Sequence, residues 1–94
     1  MKMELNEELT AAAAQLGDEL ASACAPHQAA AAVVQLQSAN TWHAMMAVLS
    51  PLLPLVEVET HNDMLISVAD DDAALRTVKR VLQFKLQARS VQRR

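Results

Sequence analysis

Residues 70–94 read DDDAALRTVKRVLQFKLQARSVQRR, and this stretch predicts the longest helix of the chain. Three aspartates open it and basic residues crowd its end, which is the charge order that the helix dipole favours. Apolar residues three and four apart mark one face of the helix. They are Ala74, Leu75, Val78, Val81 and Leu82. We therefore predict a helix over about residues 71–90.

The apolar pattern moves to another face in the last turns of this helix. After Leu82 the pattern drifts to Phe84, Ala88 and Val91. Lys85 and Arg89 stand where the first face would continue. The last two or three turns are therefore expected to leave the core of their own chain, either to cross onto a partner or to lie in solvent.

Charge divides sharply along the chain. Residues 1–72 hold one base and all eleven acids, a net charge of −10, whereas residues 73–94 hold seven bases and no acid, a net charge of +7. The overall charge of −3 argues against a general nucleic-acid coating protein, whose surface is usually basic. Contact with an anion or a nucleic acid would have to use the last helix. Its candidate residues are Arg76, Lys79, Arg80, Lys85, Arg89, Arg93 and Arg94.

Three further helices are predicted earlier in the chain, over about residues 6–24, 27–38 and 42–49. Asn6 suits the N-cap of the first helix, and apolar residues at steps of three and four mark one of its faces. Pro26 ends that helix and suits the first position of the second. The segment 38–41 holds a possible cap at either end and separates the second helix from the third, and Pro51 stops the third.

Residues 55–69 show an alternation of two residues, which is typical of a strand with one wet face. The alternating residues are Val56, Val58 and Thr60 before a polar turn and Met64, Ile66 and Val68 after it. We predict a β-hairpin with strands at about 55–60 and 64–69 and a three-residue loop. The expected fold class is α+β, mainly α, as a single domain over residues 1–94 that forms a dimer or a larger oligomer.

This order of three helices, a hairpin and a helix resembles winged-helix DNA-binding domains, in which the third helix enters the major groove and the hairpin touches the DNA backbone. The resemblance is one of topology only. The third helix, TWHAMMAVL at 41–49, and the hairpin with Glu57, Glu59 and Asp63 have no Lys or Arg to meet phosphate or guanine. The resemblance therefore implies a winged-helix-like fold in which the surface that usually reads DNA makes an apolar contact instead.

No catalytic or metal-binding pattern stands out. Cys24 and His27 lie three residues apart, but Pro26 falls between them at a helix junction. One Cys and three scattered His are too few for a structural zinc site, and the only glycine, Gly17, excludes the glycine-rich phosphate loops. We therefore expect no enzyme activity, metal or cofactor. A single cysteine and no long apolar span favour a cytoplasmic protein without a membrane partner.

Large apolar residues concentrate in one short segment of a chain that has few of them. Of its 49 hydrophobic residues 18 are alanine, so the core is thin and association would help it. This segment, Trp42–Leu55, is either core or a protein-binding surface. The candidate binding residues are Trp42, Met45, Met46, Leu49 and Leu53. We expect a small non-enzymatic adaptor, inhibitor or assembly chaperone that binds itself and a protein partner. The alternative is a DNA-binding regulator that uses the basic last helix.

Overall fold

The computed structural model describes residues 7–91, over which the chain folds into five α-helices. Two short 3₁₀ helices, Leu53–Leu55 and Val58–His61, connect the third α-helix to the fourth. The α-helices are α1 (Glu7–Ala23), α2 (Pro26–Gln37), α3 (Trp42–Leu49), α4 (Asn62–Asp70) and α5 (Asp72–Ser90). None of these helices is both long and apolar enough to cross a lipid bilayer.

Local signals in the sequence set the ends of most helices. Pro26 occupies the first position of α2, and the Thr41 hydroxyl accepts a hydrogen bond from the backbone N–H of Ala44 at 3.1 Å at the start of α3. The Asp71 carboxylate accepts from two backbone N–H groups in the first turn of α5, at 2.8 and 3.3 Å. The described ends of α1, α2, α3 and α5 fall within one residue of the predicted bounds. The predicted N-cap Asn6 lies outside the described residues.

Helix α5 forms the centre of the fold. It makes its most extensive contacts with α1, followed by α2 and then α4. Its buried residues are Ala74, Leu75, Val78, Leu82 and Leu86. The residues that α1 and α2 bury are Leu9, Ala13, Leu16, Gly17, Leu20, Ala29, Ala32 and Leu36. Half of these are glycine or alanine, so the backbones of α1 and α2 can approach α5 closely.

The predicted β-hairpin is wrong, because residues 55–69 form 3₁₀ turns and α4 in place of the two strands. Burial in this segment follows helical spacing. The buried residues are His61, Met64, Leu65, Ser67 and Val68. Residues three, four and seven apart share one face of a helix, whereas a strand would place Ile66 on the buried face beside Met64 and Val68. Ile66 is instead 61% exposed.

The predicted α+β class and the winged-helix-like order are wrong for the same reason. A winged helix needs a hairpin as its wing, and the part of the chain from 7 to 91 has no strand. The fold is an all-helical, bundle-like globule in which α4 takes the place of the wing.

Gly17 lets the two longest helices come together. A Cβ atom at this buried position would lie 2.7 Å from Cγ and 2.9 Å from Cβ of Lys85 on α5. The Lys85 side chain passes over the glycine, and its Nζ lies 3.1 Å from Oδ1 of Asp18. The missing side chain at position 17 therefore sets the distance between α1 and α5.

We predict that Gly17→Ala lowers the free energy of unfolding. Alanine normally stabilises a helix interior relative to glycine by about 1 kcal/mol. Here the added methyl group would overlap the stem of Lys85, and overpacking of this kind typically costs roughly 1–3 kcal/mol. Urea denaturation followed by circular dichroism measures the difference.

The control places the same substitution in a Lys85→Ala background, where the 2.7 Å approach to Cγ is gone. The loss caused by Gly17→Ala should then be smaller. If Gly17→Ala instead makes the protein with Lys85 more stable, the close approach of α1 and α5 does not depend on the glycine.

Candidate functional site

An apolar groove lies between α3, the 3₁₀ helices and α4, with a volume of about 340 Å³. We call it the Trp42 groove. It is lined by Trp42, Met46, Leu53, Val58, Asn62, Leu65, Ile66, Ala69 and Asp70. Seven of these nine side chains are apolar. The groove can therefore accept an apolar group of the size of one or two large side chains.

Two large apolar side chains of the groove face solvent. Trp42, the first residue of α3, is 39% exposed, and Ile66 in the middle of α4 is 61% exposed. Met45 and Leu49, which follow Trp42 along α3, are fully buried. Met45 and Leu49 therefore anchor α3 in the core, whereas Trp42 in the first turn of α3 is open to solvent.

The rim of the groove is acidic. Asp63 and Asp70 lie three residues before and four residues after Ile66, which places both carboxylates beside it on the outer surface of α4. Both are exposed, and Asp70 lines the groove itself. No Lys or Arg occurs between residues 3 and 75. The groove thus combines an apolar floor with negative charge at its edge.

A hydrogen bond between a buried histidine and a half-buried glutamate anchors the segment that forms one wall of the groove. His61, which ends the second 3₁₀ helix and precedes α4, is only 3% exposed. Its Nε2 lies 2.9 Å from Oε1 of Glu19 on α1, and the carboxylate accepts the hydrogen bond. The pair ties the Val58 to Asn62 stretch of the groove to the core helix α1.

The environment of Glu19 favours its charged form. The hydrogen bond with His61 is the main reason why the pKa of this carboxyl lies below its ordinary value of 4.5. Partial burial opposes that change. The electrostatic attraction of His61 and a hydrogen bond that Gln15 donates, at 3.4 Å, lower the pKa further.

The predicted partner-binding residues divide between the groove and the core. Trp42, Met46 and Leu53 line the groove, whereas Met45 and Leu49 are buried beneath it. Whether the groove binds a partner stays a prediction.

Sequence reasoning missed the wall of the groove that α4 and the second 3₁₀ helix supply. The missed apolar residues are Val58, Leu65, Ile66 and Ala69. Assigning the segment to a hairpin hid them. The adjacent apolar pair Met64 and Leu65, with Val68 one turn later, was the signal for a helix.

Most of the basic residues of α5 bind their own chain. Lys79 Nζ donates to Oδ1 of Asn40 at 3.1 Å and to a backbone carbonyl of α2 at 3.3 Å. Lys85 pairs with Asp18, and Nε of Arg89 donates to the backbone carbonyl that follows α1 at 3.0 Å. Arg76 and Arg80 are exposed, and Arg93 and Arg94 lie outside the described residues. Three of the seven predicted anion contacts therefore hold the helices together.

A second exposed apolar surface lies on the outer side of α5. We call it the Phe84 face, formed by Phe84, Ala88 and Val91. Phe84 is 70% exposed, more than any other large apolar side chain among residues 7–91, and Val91 is 61% exposed. These residues are those of the predicted shift in the apolar pattern. The expectation that the last turns leave the core is wrong, because Leu86 in those turns is fully buried.

Among residues 7–91, the structure shows no hydrogen bond between the side chains of Cys24 and His27. Cys24 is buried, and burial raises the pKa of its thiol, which opposes formation of the reactive thiolate. His27 lies on the surface. No three His, Cys, Asp or Glu residues of the described chain come together as metal ligands.

Comparisons of this chain with protein-family models, with curated proteins and with solved structures find no match. The Trp42 groove and the Phe84 face are the candidate functional surfaces among residues 7–91.

We predict that acid removes the stabilisation that the pair of Glu19 and His61 supplies. Because the pKa of Glu19 is lower in the folded state, its contribution is complete above the ordinary value of 4.5 and disappears as the pH falls through the lowered value. Glu19→Gln should therefore be less stable than the wild type at pH 7, and the two free energies of unfolding should converge in acid. Urea denaturation across this pH range measures both curves.

The matched control is Glu59→Gln, because the Glu59 side chain is exposed and, among residues 7–91, only its backbone carbonyl accepts a hydrogen bond, from Asn62. This variant should keep the acid response of the wild type. A constant difference between wild type and Glu19→Gln at every pH would contradict the assignment.

Proposed function

We propose that this chain is a non-enzymatic protein-binding module and that its Trp42 groove takes an apolar segment of a protein partner. The observation that carries the proposal is the exposure of Trp42 and Ile66 on a groove whose floor is apolar. A Trp at the edge of an apolar pocket is typical of residues that dominate binding energy at interfaces. Soluble proteins tend to keep large apolar surface exposed where it serves an interaction.

The charge of the rim specifies the kind of segment that fits. Asp63 and Asp70 beside Ile66 would attract Lys or Arg residues that flank the apolar anchor of the partner. An amphipathic helix with one or two large apolar side chains and basic flanks has this chemistry, and helices commonly bind in grooves of this kind. An adaptor, an inhibitor or an assembly chaperone acting in the cytoplasm would use such a surface.

The DNA-binding alternative has less support. Lys79, Lys85 and Arg89 are engaged within the chain, and a groove with an acidic rim repels phosphate. A mobility shift at low salt would separate the two classes, because a DNA-binding regulator retards DNA there and a module of the proposed kind does not.

The proposal is tested by capturing the partner from within the groove. A photo-reactive amino acid replaces Ile66 and, as the control, Val34 on α2, whose exposure of 65% is similar but which does not line the groove. The segment crosslinked at position 66 and not at position 34 is then synthesised as a peptide. The peptide is titrated against the wild-type protein, with fluorescence of Trp42, the only Trp of the chain, as the signal.

We predict that Ile66→Asp weakens binding of this peptide by at least about tenfold, equivalent to ~1.4 kcal/mol, because it places a charge in the apolar contact. Val34→Asp should bind the peptide as the wild type does. Equal affinities for the Ile66→Asp and wild-type proteins would exclude the groove as the binding site.

A further inference from the structure

The Phe84 face has the chemistry that the Trp42 groove selects. Its apolar residues are spaced four and three apart, which aligns them in one stripe along the outer side of α5. Arg80 and Arg76 precede Phe84 by one and two turns, and both are exposed. No acid occurs between residues 73 and 94. The face is therefore an apolar helix surface with basic flanks. The one acid that lies beside Phe84 and Ala88 among the described residues is Asp18 of α1, and it pairs with Lys85.

The groove presents the opposite charge in a similar arrangement. On α4, exposed Ile66 lies beside Asp63 and Asp70, just as exposed Phe84 on α5 lies beside Arg80. Bringing the two surfaces together would cover the most exposed apolar side chain of the described residues and set acids against bases.

We propose that the Phe84 face of one copy of this chain docks in the Trp42 groove of a second copy, an inference that rests on the proposed function of the groove as a docking site. Charge decides against the two other ways in which the surfaces could pair. Two Phe84 faces would set arginines against arginines, and two grooves would set aspartates against aspartates. Like charges across an interface oppose association.

The pairing joins different surfaces of the two copies. Two chains related by a twofold axis would make the contact twice, whereas an arrangement that does not close would continue as a chain of copies. In either case the self-associated protein has occupied grooves. A protein partner must then displace the Phe84 face, so that self-association competes with partner binding.

The test uses two full-length variants that each remove one surface. Ile66→Asp disables the groove and leaves the Phe84 face, and Phe84→Asp disables the face and leaves the groove. Both positions are exposed, and circular dichroism verifies that the helical fold is kept. Sedimentation velocity over a concentration series measures the association state of the wild type, of each variant and of their equimolar mixture.

We expect the wild type to self-associate, each variant alone to be monomeric, and the mixture to form a 1:1 complex. Only the mixture brings together an intact groove and an intact face. Self-association of Ile66→Asp alone would show a contact between two faces, and that of Phe84→Asp alone a contact between two grooves. Either result overturns the proposal, as does a monomeric wild type or a mixture that forms no complex.

A second pair of variants leaves the apolar residues in place. Asp70→Lys and Arg80→Glu should each raise the dissociation constant of self-association by about tenfold, and a chain that carries both should regain much of the wild-type affinity. High salt should weaken the wild-type association. If both single variants associate as the wild type does, or if the chain with both changes does not recover affinity, the proposed contact between the acidic rim of the groove and the arginines beside Phe84 is contradicted.

Failure of this inference and failure of the proposed function give different results. The Phe84→Asp variant keeps an open groove, so it should bind the partner peptide at least as tightly as the wild type. If it binds the peptide while the wild type is monomeric, only the self-association proposal is lost. If neither protein binds the peptide through Trp42, the proposed function of the groove is lost as well.

Discussion

The close packing of α1 against α5 is the constraint on which the rest of the structure depends. A domain with 31 large hydrophobic residues has little apolar surface to bury, and it gains most from helices whose backbones come near each other. Gly17 and Ala13 supply small surfaces on α1, and Ala29 and Ala32 do the same on α2. The leucines of α5 reach the core because these positions carry no bulk. Polar contacts such as Lys79 with Asn40 then fix the edges of α5.

This arrangement determines where apolar surface remains exposed. The alanine-rich sides of α1 and α2 face α5, whereas α3 and α4 are short and bury only part of their apolar residues. Met45 and Leu49 take the inner side of α3, and Trp42 is left at its open end. His61 reaches back to Glu19 and holds the start of α4 at the place where Ile66 faces outward. The Trp42 groove is therefore a product of the same packing that makes the core.

Four helices could be predicted from sequence because their ends carry strong local signals: Pro26, Thr41 with its side-chain cap, and Asp71. Residues 55–69, which were predicted to form a hairpin, have no local signal of this strength. Val56, Val58 and Thr60 have the alternation of a strand, but the residues after them pack by helical spacing, and the contact of His61 with α1 is not visible in a local pattern. Trp42, Met46 and Leu53 were identifiable from their size and clustering. The groove residues of α4 were missed because they share a surface only if the segment is a helix, and it was predicted to be a hairpin.

Helix α5 carries more apolar surface than the core uses. One helix can turn only one face inward, and the Leu75, Val78 and Leu82 face already fills that role. The stripe that begins at Phe84 therefore contributes little to folding of a single chain and leaves apolar area in water. The overall charge of −3 conceals a separation of acids from bases along the chain. Asp18 pairs with Lys85 and Asn40 binds Lys79, whereas Arg76 and Arg80 of α5 stay exposed. The Phe84 face is an exposed apolar stripe beside exposed positive charge, and the Trp42 groove is apolar with exposed negative charge at its rim. Both features are explained together if each surface is covered by another protein surface.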